Sequence, residues 1–274
     1  MRFLIRFSAS LLCASATLLA ESQPLDSFSY DQLRVFLKGY DGDWRPHSDR
    51  EKGIPAPPAT KSSPEGARRM ALPPPQSPDG QTMDLKALLE SRRSLREFSK
   101  SPLSLADLGF LLWAAQGVTG QNSEAPFRTA PSAGGRYPLE TYISVANVTG
   151  LEAGIYRYEP TTHSLIVVSE NPKSPEKLLA ACYGQSVVSN AAAVLVWTAT
   201  PYRTEWKYAF TAHRMIAMEA GHACQNVCLA ATALGLGACP LLSYHQSALD
   251  RWLGVDGREE FAIYLAALGK PALD

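Results

Sequence analysis

Arg92-Arg93-Ser94-Leu95-Arg96-Glu97-Phe98, followed further along by Ala130-Pro131-Ser132-Ala133-Gly134-Gly135-Arg136-Tyr137-Pro138, is the pair of segments on which the reading of this chain turns. The first puts three guanidiniums and a hydroxyl at the end of a helix-patterned stretch, with Leu85, Leu88 and Leu89 spaced for one face. Forked donors suit a terminal phosphate better than an ammonium does. Cations near a helix C-terminus are also favoured by the helix dipole, so in isolation the cluster reads first as a solvated helix end. The second segment reverses that order. Its run of Ser, Ala and Gly lets main-chain N–H groups come close to a flat ring, which complements an anion clamp upstream.

Working outward, the pattern beyond residue 84 alternates helices with short strands. Ser104 caps a helix that buries Leu105, Leu108, Leu111, Leu112 and Ala115, with Gly117 just past its end. Strands are predicted over 141–148, 154–158, 165–168, 193–199 and 261–268. Between the last two, Ile216, Ala220, Ala223, Val227, Ala230 and Leu234 repeat at helical spacing and predict a long helix over 211–234. Strands separated by unequal helical stretches give a layered α+β class. The segment from Gly235 to Pro240 has the wrong spacing for a dinucleotide fingerprint and follows a helix where a strand is required, so it reads as a helix stop.

The N-terminal part is different. Arg2 and Arg6 precede a charge-free run, 7–20, rich in Leu, Ala and Ser, the layout of a secretory signal peptide cleaved between about residues 16 and 23. The run is too short for a stable membrane span. A periplasmic or secreted location is the expectation, with a cytoplasmic one as the alternative. Residues 23–80 are rich in Pro and predict an extended lead-in that wraps the surface or stays mobile, apart from a short helix over 30–38. The expected division is therefore signal peptide 1–22, lead-in 23–80 and main domain 81–274.

Composition narrows the function classes. The 274 residues are 46% hydrophobic, enough for an enzyme-sized core. Lys plus Arg and Asp plus Glu are 26 each, so no sequence-wide basic field exists to hold nucleic acid. Cys182, Cys224, Cys228 and Cys239 lie in apolar segments and read as packed thiols; no metal site is expected. Glu219-x-x-His222 is half of a di-iron helix motif, but the second copy is missing. It reads as a polar network packed against a neighbouring subunit or beneath a bound ring, with a direct catalytic role for His222 as the lesser alternative. Arg203 to Phe210 has the charge pattern of an exposed loop.

The two opening segments, with Glu219-Ala220-Gly221-His222-Ala223-Cys224-Gln225-Asn226 and Leu268-Gly269-Lys270-Pro271, resemble the nitroreductase-like flavoprotein family over about 72–271, in its branch of azoline-oxidising (SagB-type) dehydrogenases. The resemblance implies a layered fold with a central, mostly antiparallel sheet flanked by helices. It also implies FMN as cofactor and a homodimer with its sites between subunits. Arg92, Arg93, Ser94 and Arg96 would hold the phosphate and ribityl chain, with Lys270 nearby. Pro131, Ser132, Ala133 and Gly134 would lie along the isoalloxazine, where donors stabilise the anionic reduced ring. Leu242 and Ser243 would pass the dimethylbenzene or ribityl side.

Lys207 and Tyr208 match the branch's catalytic Lys-Tyr pair. Aromatising an azoline sends a hydride to flavin N5 and leaves a proton on the adjacent carbon to be removed, and a Lys desolvated by aromatic neighbours suits that base role. The substrate would be a small molecule or a peptide-derived heterocycle. The rivals are an NAD(P)H-dependent nitro or quinone reductase, and a flavin-binding protein without turnover.

Overall fold

The computed structural model describes residues 27–75, 84–121 and 126–272; the expected signal peptide lies outside them. The chain divides into two units, Met1–Lys38 and Gly39–Asp274. In the first, the expected 30–38 helix is α1 (Tyr30–Arg34) followed by a 3-10 turn, Val35–Leu37. Ser29 and Gln32 form a reciprocal capping box at its start, so two orphan N–H groups are satisfied.

The second unit runs β1 (Arg69–Ala71), α2 (Leu85–Ser91), α3 (Leu105–Gln116), β2 (Val118–Gln121), β3 (Pro126–Arg128), β4 (Leu139–Val145), β5 (Gly154–Glu159) and β6 (Ser164–Ser169). It continues through α4 (Ser174–Ala181), α5 (Ser186–Ser189), β7 (Ala193–Ala199), α6 (Tyr202–Tyr208), α7 (Ala212–Ala233), β8 (Gly237–Leu241), α8 (Gln246–Leu253) and β9 (Phe261–Gly269). Seven strands form one sheet in the order β1-β6-β5-β4-β7-β9-β8. Each of these pairings is antiparallel. This is the α+β layered class read from the sequence.

The side-chain alternation of a strand explains how the layers are built. On β7, Ala193, Leu195, Trp197 and Ala199 face the core shared with α3 and α7, whereas Val194 and Val196 join the core under α4, α5 and α8. Every β7 residue is buried, as a central strand covered on both faces must be. The long helix α7 is rich in Ala and Cys along its inner face, which lets it lie close to both α3 and the sheet.

Two sequence readings are corrected here. Gly235, at φ +65°, does stop α7, but the residues after it do not end regular structure: Gly237–Leu241 form the edge strand β8 on β9. Pro240 is tolerated there because an edge strand need not donate on its outer side. The 203–210 stretch is not an exposed loop either. It is mostly the helix α6, with Arg203 and Thr204 buried.

The Pro-rich lead-in is laid across the sheet by two buried acids. Glu140 accepts from Arg203 Nη2 at 2.7 Å, from Arg157 Nη1 at 3.2 Å and from the Lys61 N–H at 3.0 Å. Glu260 accepts from Thr198 Oγ1 at 2.7 Å, Tyr142 at 3.0 Å and the Lys61 ammonium. Arg157 also donates to the carbonyls of Lys61 and Ser62. Of the two fates expected for this segment, residues 39–75 wrap the surface.

Candidate functional site

The 92–96 segment leaves α2 and lies beside the sheet edge. Ser94 bridges Ala238 of β8, the Leu95 N–H donates to Ala238 at 3.1 Å, and Ser99 donates to Lys270 at 2.9 Å. Glycine is required where these chains meet: a Cβ on Gly237 would lie 2.4 Å from Leu95 Cδ2, and one on Gly269 2.7 Å from Phe98. The structure thus brings Lys270, at the Gly237 end of β8, into the neighbourhood of Arg92, Arg93, Ser94 and Arg96. Among the described residues no carboxylate pairs with these three guanidiniums. Arg93 donates to the carbonyls of Glu90 and Arg92, and Arg96 to that of Ser94. A cluster of cations without acids is what a dianionic phosphate requires. Leu242 and Ser243 are not brought to the clamp. They follow the opposite end of β8, both exposed, with the Ser243 carbonyl accepting from Gln185 at 2.8 Å.

The second segment forms a tight turn. Gly134 and Gly135 take φ of +61° and +65°, and the Ser132 hydroxyl accepts the Tyr137 N–H at 2.8 Å, which closes the loop. Pro131 is exposed at its entry. Arg203 on α6 anchors the far side through the Tyr137 carbonyl at 2.9 Å, and Arg136 donates to the Arg203 carbonyl at 3.0 Å. Arg136 also lies over the Trp206 ring at 4.9 Å. This docking carries Lys207 and Tyr208 onto the turn: a Cβ on Gly134 would lie 2.7 Å from both Lys207 Nζ and Tyr208 Oη. An ammonium and a phenol therefore converge on one residue of the small-residue turn.

The lead-in reaches the same place, which sequence reasoning missed. Trp44 packs on Tyr208 with centroids 5.1 Å apart, and Tyr40 on Phe210 at 4.8 Å. Trp206 donates to the Ile54 carbonyl at 2.7 Å, and Arg50 donates to the Trp206 carbonyl at 2.9 Å. Burial pushes the Tyr208 phenol above its ordinary pKa, partly offset by Arg50. The only signal available was a cluster of aromatics, Tyr40, Trp44 and Trp206, in polar surroundings.

Glu219 and His222 stand in different surroundings within the chain. His222 is exposed on α7 and is not part of a buried pair, whereas Glu219 is 3% exposed. Its environment is the turn: burial pushes its carboxyl up to about 7, against the pull of the Ser132 hydroxyl, Arg128 and the Ala133 N–H. The unfolded chain gives up this proton earlier. Glu219 therefore contributes stability that is complete below the ordinary carboxyl value of 4.5 and is lost as pH rises through about 7.

Behind the clamp, Cys224, Cys228 and Cys239 are buried free thiols. The Cys228 thiol is lowered, first by its hydrogen bond with Cys224, with Arg92 adding to it. No group of three or more His, Cys, Asp or Glu among the described residues could hold a metal. No described helix is long and apolar enough to cross a membrane.

The nitroreductase family model matches residues 89–270, a span holding the 92–96 segment, the turn, α6, α7 and Lys270. The chain belongs to the nitroreductase family. A nitroreductase homologue of Methanocaldococcus jannaschii is 38% identical over 195 residues, covering 71% of this chain and 95% of that protein. A nitroreductase structure from Ralstonia eutropha superposes with a TM-score of 0.62 at 28% identity, covering 80% of this chain and all of that one. The trifolitoxin-processing protein TfxB of Rhizobium leguminosarum bv. trifolii is 28% identical over 136 residues, 47% of this chain and 36% of that protein. The chain is thus an oxidoreductase-family protein with the nitroreductase-like α+β fold.

Within this nitroreductase frame, Gly134 is constrained both by its left-handed backbone and by the side chains that meet it. Gly134→Ala forces a Cβ into φ +61° and against Lys207 and Tyr208. The strained backbone is expected to cost about 1–2 kcal/mol, read as a lowered Tm. Displacing the pair by about 1 Å is expected to lower turnover about 10²-fold.

Proposed function

We propose that this protein is an FMN-dependent oxidoreductase that dehydrogenates azoline-type heterocycles. The observation that carries the reading is the convergence of Lys207 Nζ and Tyr208 Oη on Gly134. A base and a hydroxyl poised over a ring-binding turn suit a reaction that discharges a carbon-bound proton while hydride leaves. The partial likeness to a trifolitoxin-processing protein supports a peptide-derived substrate.

The residues present fit FMN on two counts. Three guanidiniums have no acid partner among the described residues, and the small-residue turn presents left-handed Gly134 and Gly135, with no side chain of their own, beside Lys207 and Tyr208. Bound FMN would supply the two-electron acceptor. Arg92, Arg93, Ser94, Arg96 and Lys270 would hold the phosphate end, and Pro131, Ser132, Ala133 and Gly134 would border the ring; Leu242 and Ser243, after the opposite end of β8, are not brought to this cluster. Lys207 takes the proton from the substrate carbon, and Tyr208 orients it from one side while Trp44 and the lead-in exclude water. The clamp meets α7 near Cys228 and the turn meets it near Glu219. Nine residues at 1.5 Å separate these points by about 13 Å along the helix. Two copies arranged as a homodimer would bring the clamp of one to the turn of the other.

A second reading, an NAD(P)H-dependent nitro or quinone reductase, is favoured by the 38% identity to the M. jannaschii nitroreductase homologue. The purified protein is expected to be yellow, with a flavin absorption spectrum lost on denaturation and filtration. Anaerobic mixing with an azoline should bleach the spectrum, whereas bleaching by NAD(P)H alone would favour the second reading. A colourless protein that takes up no FMN would refute both.

A further inference from the structure

We propose that Glu219 is the positioning residue of the 132–134 turn and its proton store, taking up a proton when negative charge forms on the ring that the turn borders. The proposal rests on the flavin reading above and adds a residue to it.

The contrast with two other buried acids of the domain makes the case. Glu140 and Glu260 each accept from three donors and tie the lead-in to the sheet. Those are structural carboxylates, with their lone pairs filled. Glu219 is as deeply buried, yet among the described residues its Oε1 has no hydrogen-bond partner, and neither has the buried Nε of Arg128 nearby. A buried polar atom left without a partner needs an explanation. Glu219 faces the Ser132 hydroxyl and the Ala133 N–H, the two groups that open the turn, among the apolar neighbours Ala220 and Ala223 of its own helix. A Gln would fill the space and satisfy the same donors without the cost of a buried charge. The ionisable group has a use if its charge must change.

The groups facing Glu219 are few. Arg128, from β3, is held by Gln116 of α3 at 3.0 Å and stacks on Tyr137 at 4.2 Å, and Tyr137 itself senses Glu219. Lys207, from α6, reaches the same turn at Gly134. Arg128 remains charged and Tyr137 neutral near pH 7, its phenol raised by burial, so Glu219 is the member of the set able to respond. When a two-electron reductant adds electrons to the ring and leaves it anionic, the nearby carboxylate is repelled and binds a proton from solvent. On reoxidation the proton returns to solvent.

Two measurements on the purified full chain test this, the first independent of turnover. An infrared titration should show a protonated-carboxyl band that disappears with a midpoint of about 7 and is absent from Glu219→Gln. Anaerobic reduction by dithionite at about pH 8, followed with an indicator dye, should take up about one proton more per flavin in the wild type than in E219Q. Glu219→Asp, which keeps the carboxyl, should keep the band and serves if E219Q does not fold. A band unchanged by E219Q, or no such band in the wild type, overturns the proposal, as does equal proton uptake. If the protein binds no flavin, the function reading fails while the infrared titration still decides whether Glu219 stores a proton.

Discussion

Lys207→Ala is expected to lower turnover of an azoline substrate by about 10²–10⁴-fold, the usual contribution of a positioned general base. The side chain ends at Gly134, where a Cβ would stand 2.7 Å from its Nζ, so its loss removes the cation that meets the turn. Flavin content should stay near wild type, because the guanidinium cluster lies with β8 and Lys270 at another part of the domain. Nitro reduction driven by NAD(P)H needs no carbon base and should survive the substitution. Parallel steady-state assays with an azoline and a nitroaromatic therefore separate the two enzyme readings. Full azoline oxidation by the variant would remove Lys207 from the mechanism. Efficient nitro reduction with no azoline oxidation by either protein would leave the reductase standing.

Arg92→Ala is expected to weaken FMN binding by about ten- to a hundredfold, since a charge-assisted hydrogen bond contributes ~1.5–3 kcal/mol. Arg92 is half-buried against α7, near Cys228, and has no carboxylate partner among the described residues. Riboflavin, which lacks the phosphate, should bind the wild type poorly and the variant about equally. Equilibrium dialysis of the apoprotein with each ligand reads both effects. Equal wild-type affinities for FMN and riboflavin would assign the cluster to the solvated helix end that its sequence also allows.

The segments that could be read in advance are those whose physics is local. Gly134 and Gly135 adopt left-handed φ in the small-residue run that suggested a tight turn. The spacing of Ile216, Ala220, Ala223 and Val227 marks the buried side of α7 to within a residue of its ends. The capping of α3 by Ser104 is likewise a contact three residues long, Ser104 to Asp107. Such features depend on neighbours in the chain, so the chain states them.

What misled was non-local. Residues 203–210 look like a solvated loop because three of the five residues from Arg203 to Lys207 are charged. Arg203 is nonetheless buried, since its partner Glu140 arrives from β4, 63 residues away. The 237–241 segment, with Gly and Pro, has weak strand propensity and becomes β8 only because β9 offers an edge. The lead-in was expected to be extended, as proline dictates. That it ends on Tyr208 through Trp44 depends on Glu140, Glu260 and Trp206 holding it.

Sequence by itself determined the α+β class, the long helix, the turn and the identity of the cationic cluster, because periodicity, left-handed glycine and charge are properties of short stretches. Only the tertiary structure decided that Lys207 and Tyr208 meet Gly134, that Leu242 and Ser243 stand at the far end of β8 from Lys270, and that Glu219 rather than His222 is buried beneath the turn. Those outcomes depend on which distant groups supply partners for a buried charge. That balance is struck between segments, and no window of sequence contains it.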